Sequence, residues 1–304
     1  MRNGTGIVVL LLATVAAACA SRPTAAPTPA LKLASALMLP ARPLRPRAHP
    51  AALPASIPVS YRQAAVAIVI DDMGDRHESG ERALKLPGAV TFAFLPQRPF
   101  TRNQAMRAHE RGKEVMVHLP VQPEHGGKLL PTSITRDLGQ AELQRRVAVA
   151  LDSVPFAQGL NNHEGSLVTQ NRKQMDWLMQ ALLRHGGLYF VDSRTSGRSV
   201  AYAAARDLGL ATARRDIFLD DRTDAPSIRA QWNQLLAIAE HHGTALAIGH
   251  PHPQTLAVLE EELPKLQVLG VRLVPASELI RLQGVEAPAR GGMKLVAALS
   301  ASAP

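Results

Sequence analysis

The chain of 304 residues holds a single cysteine, Cys19, which excludes an internal disulfide and any metal site built on several thiolates. No acidic residue precedes Asp71, whereas seven basic ones do: Arg2, Arg22, Lys32, Arg42, Arg45, Arg47 and Arg62. The formal charge of +9 is therefore crowded into the N-terminal quarter, and from Asp71 onward 27 basic residues face 25 acidic ones. A nearly neutral folded part lacks the basic face that nucleic acid requires, so no nucleic-acid partner is expected. No solenoid-period repeat is visible, and no Gly-x-Ser-x-Gly elbow surrounds Ser166 or Thr169, which argues against a serine nucleophile. With 46% hydrophobic and 19% charged residues, the chain is too apolar to be disordered throughout. Its length suits two domains or one (β/α) barrel.

The first residues present read as an export signal: Arg2, then the uncharged apolar run Ile7 to Ala18, then small residues. A run of about a dozen residues is short for a membrane span, which needs about 20, and fits a signal-peptide core. Cys19 directly follows Ala16-Ala17-Ala18. That arrangement resembles the bacterial lipoprotein processing site, with Ala16 where Leu is usual, and implies membrane attachment through a lipidated Cys19. Cleavage near Ala18 or Ala20 with an ordinary leftover cysteine is the alternative. Residues 20–60 carry nine prolines between Pro23 and Pro58. Proline at that density blocks helix and ladder formation, so the segment is expected to be an extended tether. The expected organisation is a signal peptide at 1–19, the tether at 20–60, a folded domain at 61–284 and a tail at 285–304, in an exported protein of the periplasm or cell envelope.

From Tyr61 short apolar runs alternate with longer amphipathic segments. Strands are predicted at Ala65 to Ile70, Val90 to Leu95, Glu114 to Leu119, Ala157 to Leu160, Gly187 to Val191, Ala211 to Thr212 with Ile217 to Leu219, Ala245 to Ile248, and Val271 to Val274. Apolar spacings of three and four predict helices at Thr101 to Arg111, Gln140 to Val149, Lys173 to His185, Ser199 to Leu208, Pro226 to His241, Pro253 to Leu266 and Ala276 to Arg281. Such alternation means a parallel sheet with outer helices, either a closed barrel or an open doubly wound sheet. In both, ligands sit at the C-terminal ends of the strands.

Those ends carry the chemistry. They read Asp71-Asp72, His118, Asn161-Asn162-His163-Glu164, Asp192-Ser193-Arg194, Asp220-Asp221 and His250-Pro251-His252. Carboxylates and imidazoles without thiolates suit zinc or another first-row divalent ion, and a catalytic site needs about three protein ligands with one position open. Asp72, His118 and His163 meet that count, Asp71 is placed to take a proton, and His250 is placed to give one. Asn162, Asp192, Arg194 and His252 are the expected substrate contacts. Other residues are read as structural. Met175, Trp177, Leu178 and Leu182 lie at helical spacing and are assigned to the core. Trp232 is assigned to a helix face, with sugar stacking as the alternative. His241 and His242 close a helix C-terminus.

Six ordered strings resemble the divergent polysaccharide deacetylases, within the wider polysaccharide deacetylase superfamily of carbohydrate esterases: VAIVIDDMG from Val66, HLPVQP from His118, GLNNHEGS from Gly159, YFVDSRT from Tyr189, FLDD from Phe218 and AIGHPHPQT from Ala247. The resemblance covers about residues 64–280. It implies a distorted (β/α) barrel with a metal, zinc being the expected ion, that removes acetyl groups from an N-acetylated polysaccharide or peptidoglycan. By the same resemblance Asp71 is the base, Asp72 a metal ligand and His250 the acid. The usual second histidine, four residues after the first, is replaced by Gln122, and His125 is out of register, so His163 is the expected substitute. The superfamily's arginine-bearing third motif is missing, and Asn162 or Arg194 is expected in its space. A glycan- or cell-wall-protein-binding module without catalysis is the rival function.

Overall fold

The computed structural model describes residues 63–284 except Lys128. The expected signal peptide, Cys19, the tether and the C-terminal tail lie outside the described residues. Nine strands form one parallel sheet: β1 (Ala65–Met73), β2 (Thr91–Phe94), β3 (Glu114–Val121), β4 (Gly159–Glu164), β5 (Tyr189–Asp192), β6 (Thr212–Arg214), β7 (Ile217–Phe218), β8 (Thr244–Gly249) and β9 (Arg272–Leu273). Eight α-helices accompany them: α1 (His77–Ala83), α2 (Thr101–Glu110), α3 (Gln140–Ser153), α4 (Arg172–His185), α5 (Ala201–Asp207), α6 (Ala225–His242), α7 (Pro253–Glu262) and α8 (Ala276–Leu282).

The strand order is β6-β5-β4-β3-β2-β1-β8-β7, with β9 paired to the start of β1. The two edge strands, β6 and β7, are joined by only Arg215 and Asp216. A sheet whose opposite edges are that close along the chain must be rolled up. The link closes the roll without a ladder: the Arg215 N–H donates to the Asp192 carbonyl on one side, and the Asp216 N–H donates to the Leu246 carbonyl on the other. The result is a distorted, incompletely closed (β/α) barrel with a seam between β6 and β7. The single strand predicted over Ala211 to Leu219 is thus two strands on opposite edges.

Period-two alternation sorts the strand residues into two cores. Outward residues such as Ile68, Phe92, Val117, Leu160 and Phe190 pack with buried residues of α2 to α7, including Ala105, Leu143, Met175, Leu178, Leu182, Trp232 and Leu256. Trp232 is a core residue at 1% exposure, and Trp177 packs at the margin of the same core. Inward residues are mostly small or slender, Ala65, Ala67, Val69, Ala93, Met116, Val191, Ala211, Ala213, Leu246 and Ile248, with Tyr189 the one aromatic ring, joined by Ala276, Leu279 and Ile280 of α8. Helix α8 therefore plugs the bore at the N-terminal end of the strands. Glu114 fixes it there, its Oε1 accepting from the Ser277 N–H at 3.2 Å, Thr91 Oγ1 at 3.0 Å and the Tyr189 hydroxyl at 2.8 Å.

Strands β1, β3 and β4 run further than predicted, to Met73, Val121 and Glu164, so Asp71, Asp72, His118 and His163 stand on strands and not in loops. Helix α1 was not predicted; its seven residues carry Gly80 at the centre, which breaks the apolar periodicity. That glycine lies against the Gln104 side chain of α2, where a Cβ would meet Nε2 at 2.2 Å.

Candidate metal centre

The inward alternation continues past the apolar bore. Two residues beyond Val69, Met116, Gly159, Val191, Ala213 and Ile248 come Asp71, His118, Asn161, Ser193, Arg215 and His250, and two beyond Asn161 comes His163. The rim at the strands' C-terminal ends is therefore lined by these side chains. Asp72 has the wrong parity, yet it reaches the same point. The register of β1 on β2 shifts between Ile70 and Met73, and Asp72 takes φ +56°, left-handed for a non-glycine residue. The bulge turns its carboxylate back toward the bore.

Asp72 Oδ1, His118 Nε2 and His163 Nδ1 form a near-equilateral triangle. The separations are 3.2 Å from Asp72 Oδ1 to His118, 3.0 Å from Asp72 Oδ1 to His163 and 3.0 Å between the two rings. Ligand atoms on a tetrahedral zinc stand about 3.3 Å apart, given bonds of about 2.0–2.1 Å. The protonation pattern also fits a cation. Asn161 Nδ2 donates to Asp71 Oδ1 at 2.8 Å, which turns the amide oxygen to His118 Nδ1, also at 2.8 Å. His118 in its neutral form thus carries its proton on Nδ1 and aims the Nε2 lone pair at the other two atoms, the outer-shell device that fixes a metal-ligating tautomer. Asp72 Oδ1 is buried and receives no hydrogen bond. A carboxylate oxygen and two imidazole nitrogens that converge in this way form a group able to hold a divalent ion.

Asp71 and His250 flank the triangle. Asp71 is 2% exposed; burial pushes its carboxyl up, against the pull of His118, His250 and the Asn161 amide. Its Oδ2 lies 3.6 Å from His118 Nδ1. His250 Nδ1 is 3.0 Å from Asp220 Oδ1, while Asp220 Oδ2 accepts from the His250 N–H at 2.7 Å and from the Thr255 hydroxyl at 2.7 Å. Burial disfavours the imidazolium, but the Asp220 carboxylate more than compensates and His250 is pushed up to about 9. Its Nε2 faces the centre, 4.0 Å from Asp72 Oδ2. A second group of ligand-type atoms, on Asp220, His250 and His252, fits an ion less well because both Asp220 oxygens already accept hydrogen bonds.

Three cavities meet at this point. The first, about 630 Å³, runs along the seam and is lined by Asp71, His118, His163, His250, Arg194 and Arg215 among others. The second, about 750 Å³, lies beyond Asp72 and His250 and includes His252. The third, about 340 Å³, borders Asp72 and His163. Of the expected substrate contacts, Arg194 lines the first cavity and His252 the second. Asn162 also lines the first, but its amide is engaged, accepting from the Ser193 N–H at 3.0 Å and donating to the Glu164 carbonyl at 2.7 Å. Asp192 is corrected to a loop clamp. It has outward parity, lines none of the three cavities, and accepts from the Arg194 N–H at 2.8 Å, Ser199 Oγ at 2.8 Å and the Tyr202 N–H at 3.2 Å.

Sequence reasoning noted Asn161 and Asp220 at strand ends without giving them a role, and passed over Arg215. Arg215 lines the first cavity beside Asn162 and Arg194: its Nε donates to the Ser193 carbonyl at 2.7 Å, its Nη2 to the Arg194 carbonyl at 3.0 Å, and its guanidinium lies 4.9 Å from the Phe218 ring centroid. Strand parity was the available signal, since it selects Asn161 and Arg215 and rejects Asn162 and Asp192.

Comparison with known proteins shows the family. Residues 68–280 match the family described as divergent polysaccharide deacetylase. The chain is 40% identical over 215 residues to the uncharacterized protein YibQ of Escherichia coli (strain K12), covering 71% of this chain and 67% of that protein. It is 35% identical over 229 residues to an uncharacterized protein of Haemophilus influenzae, covering 75% and 81%. Among solved structures, the uncharacterized protein ATU2773 from Agrobacterium tumefaciens C58 superposes with a TM-score of 0.69 at 21% identity, over 72% of this chain and 90% of that one, a likeness of fold. The chain belongs to the divergent polysaccharide deacetylase family.

Proposed function

We propose that the protein is an exported, metal-dependent hydrolase that removes acetyl groups from an N-acetylated cell-envelope polysaccharide. The observation that carries this reading is the triangle of Asp72 Oδ1, His118 Nε2 and His163 Nδ1, all within 3.2 Å of one another, with Asp71 on one side and His250 on the other. A divalent metal held by those three residues, zinc being the ion we favour, supplies Lewis acidity toward the acetyl carbonyl and the attacking water. Asp71 takes a proton from that water through Oδ2, since Oδ1 receives the Asn161 amide. His250, held by Asp220 and charged at neutral pH, gives its Nε2 proton to the departing nitrogen. A carbon–oxygen bond forms, the carbon–nitrogen bond breaks, and acetate and a free amine leave. Export rests on the N-terminal residues 1–19, and attachment to the membrane on Cys19.

The deep burial of Asp71 favours a second reading, in which the same rim holds a glycan or a cell-wall protein without turnover. Acetate release from N-acetylated oligosaccharides by zinc-loaded protein distinguishes the two. Release that is lost in Asp71→Asn with zinc content unchanged supports the hydrolase. Binding that survives Asp71→Asn, with no release in wild type under any divalent metal, supports the binding module.

A further inference from the structure

The seam cavity contains charge that the proposed reaction does not use. Arg194 and Arg215 both line it, and among the described residues no carboxylate pairs with either guanidinium. Arg215 is clamped by two backbone carbonyls over the Phe218 ring, which fixes its plane and leaves Nη1 free of protein partners. Arg194 is exposed at the mouth, with its backbone in the left-handed region at φ +49°. Burial pushes Arg215 down and the neighbouring Arg194 charge adds to this, against the pull of the Asp71, Asp192 and Asp221 carboxylates. Ser193, whose carbonyl accepts from Arg215, is 5% exposed, and its Oγ is buried without a hydrogen-bond partner among the described residues although it lines the same cavity. A buried unbonded hydroxyl costs about 1–3 kcal/mol wherever it is left so.

We propose that Ser193, Arg194 and Arg215 form a subsite that takes a carboxylate of the substrate, beside the atoms that act on the acetyl group. The glycan is then an acidic one, bearing a carboxylate on the reacting sugar or its neighbour. This deepens the deacetylase reading and rests on it for the placement of the sugar. The guanidinium fork of Arg194, the remaining Nη1 of Arg215 and one hydroxyl match a planar two-oxygen anion. Asp71, Glu164, Asp216 and Asp221 line the same cavity, and their repulsion weighs more against a doubly charged phosphate than against a singly charged carboxylate.

The test is calorimetric titration of zinc-loaded full-length protein with a tetrasaccharide of alternating N-acetylglucosamine and its 3-O-lactyl derivative, against the methyl ester of the same molecule. Acetate release is measured in parallel. The acid is expected to bind about tenfold or more tighter than the ester. That preference should fall to about threefold or less in Arg194→Gln and in Arg215→Gln, and by a few-fold in Ser193→Ala, which keeps the Cβ and guards against a folding defect in the Arg215 variant. Equal binding of acid and ester by wild type, or an undiminished preference in both arginine variants, overturns the subsite. Acid preference without acetate release leaves the subsite standing and removes the hydrolase. Release from both ligands without preference does the reverse.

Discussion

At the scale of single residues, the account turns on which protons are held where. Asp71 must be ionised to accept a proton, and its carboxyl is raised by burial, so activity is lost on acidification from a point above the ordinary carboxylate range. His250 must be charged to donate, and it is raised to about 9, so activity is lost as pH rises through that region. The expected profile is a bell whose limbs belong to the coupled site. In Asp220→Asn the carboxylate that sustains the imidazolium is gone, and the alkaline limb should move down by at least one pH unit; a limb that stays in place would show that another group sets it. Asp71→Asn should lower kcat by about a hundredfold or more with zinc content unchanged. The paired Asp71-Asp72, His118 and His250 were legible in the sequence as strand ends. Asp192 was misread because an acidic residue at a strand end looks alike whether it faces the bore or the helices.

At the scale of elements, strand parity decides what reaches the site, and the bulge at Asp72 is the exception that completes it. The strand–helix alternation was readable from apolar spacing, whereas α1 was hidden by Gly80. The division of residues 211–219 between two sheet edges was hidden as well, because a two-residue link resembles an irregular strand and not a seam. Parity also explains Gly159, inward on β4 beneath Asn161, where an added Cβ would lie 2.4 Å from Cε2 of the Tyr189 ring. Tyr189 is held in place by Glu114 and cannot swing away without losing that bond. Gly159→Ala should therefore destabilise the fold by about 1–3 kcal/mol, read as a lower urea midpoint; an unchanged midpoint would mean that the ring has room to move.

At the scale of the whole molecule, one curled sheet gathers residues separated by up to 179 positions, from Asp71 to His250, onto one rim, while α8 closes the opposite end. A ligand bound only by the native fold stabilises it, by about 2.7 kcal/mol at a hundredfold excess over Kd. For a domain of this size that raises Tm by about 5–10 °C. Zinc should produce such a shift in wild type and none in Asp72→Ala. The central claim is that Asp72, His118 and His163 hold one divalent ion. Diffraction from zinc-loaded crystals, recorded on both sides of the zinc absorption edge, tests it most directly. The expected result is one anomalous peak per chain, bonded to Asp72 Oδ1, His118 Nε2 and His163 Nδ1; a peak on Asp220, His250 and His252 instead, or none on the rim, would contradict it.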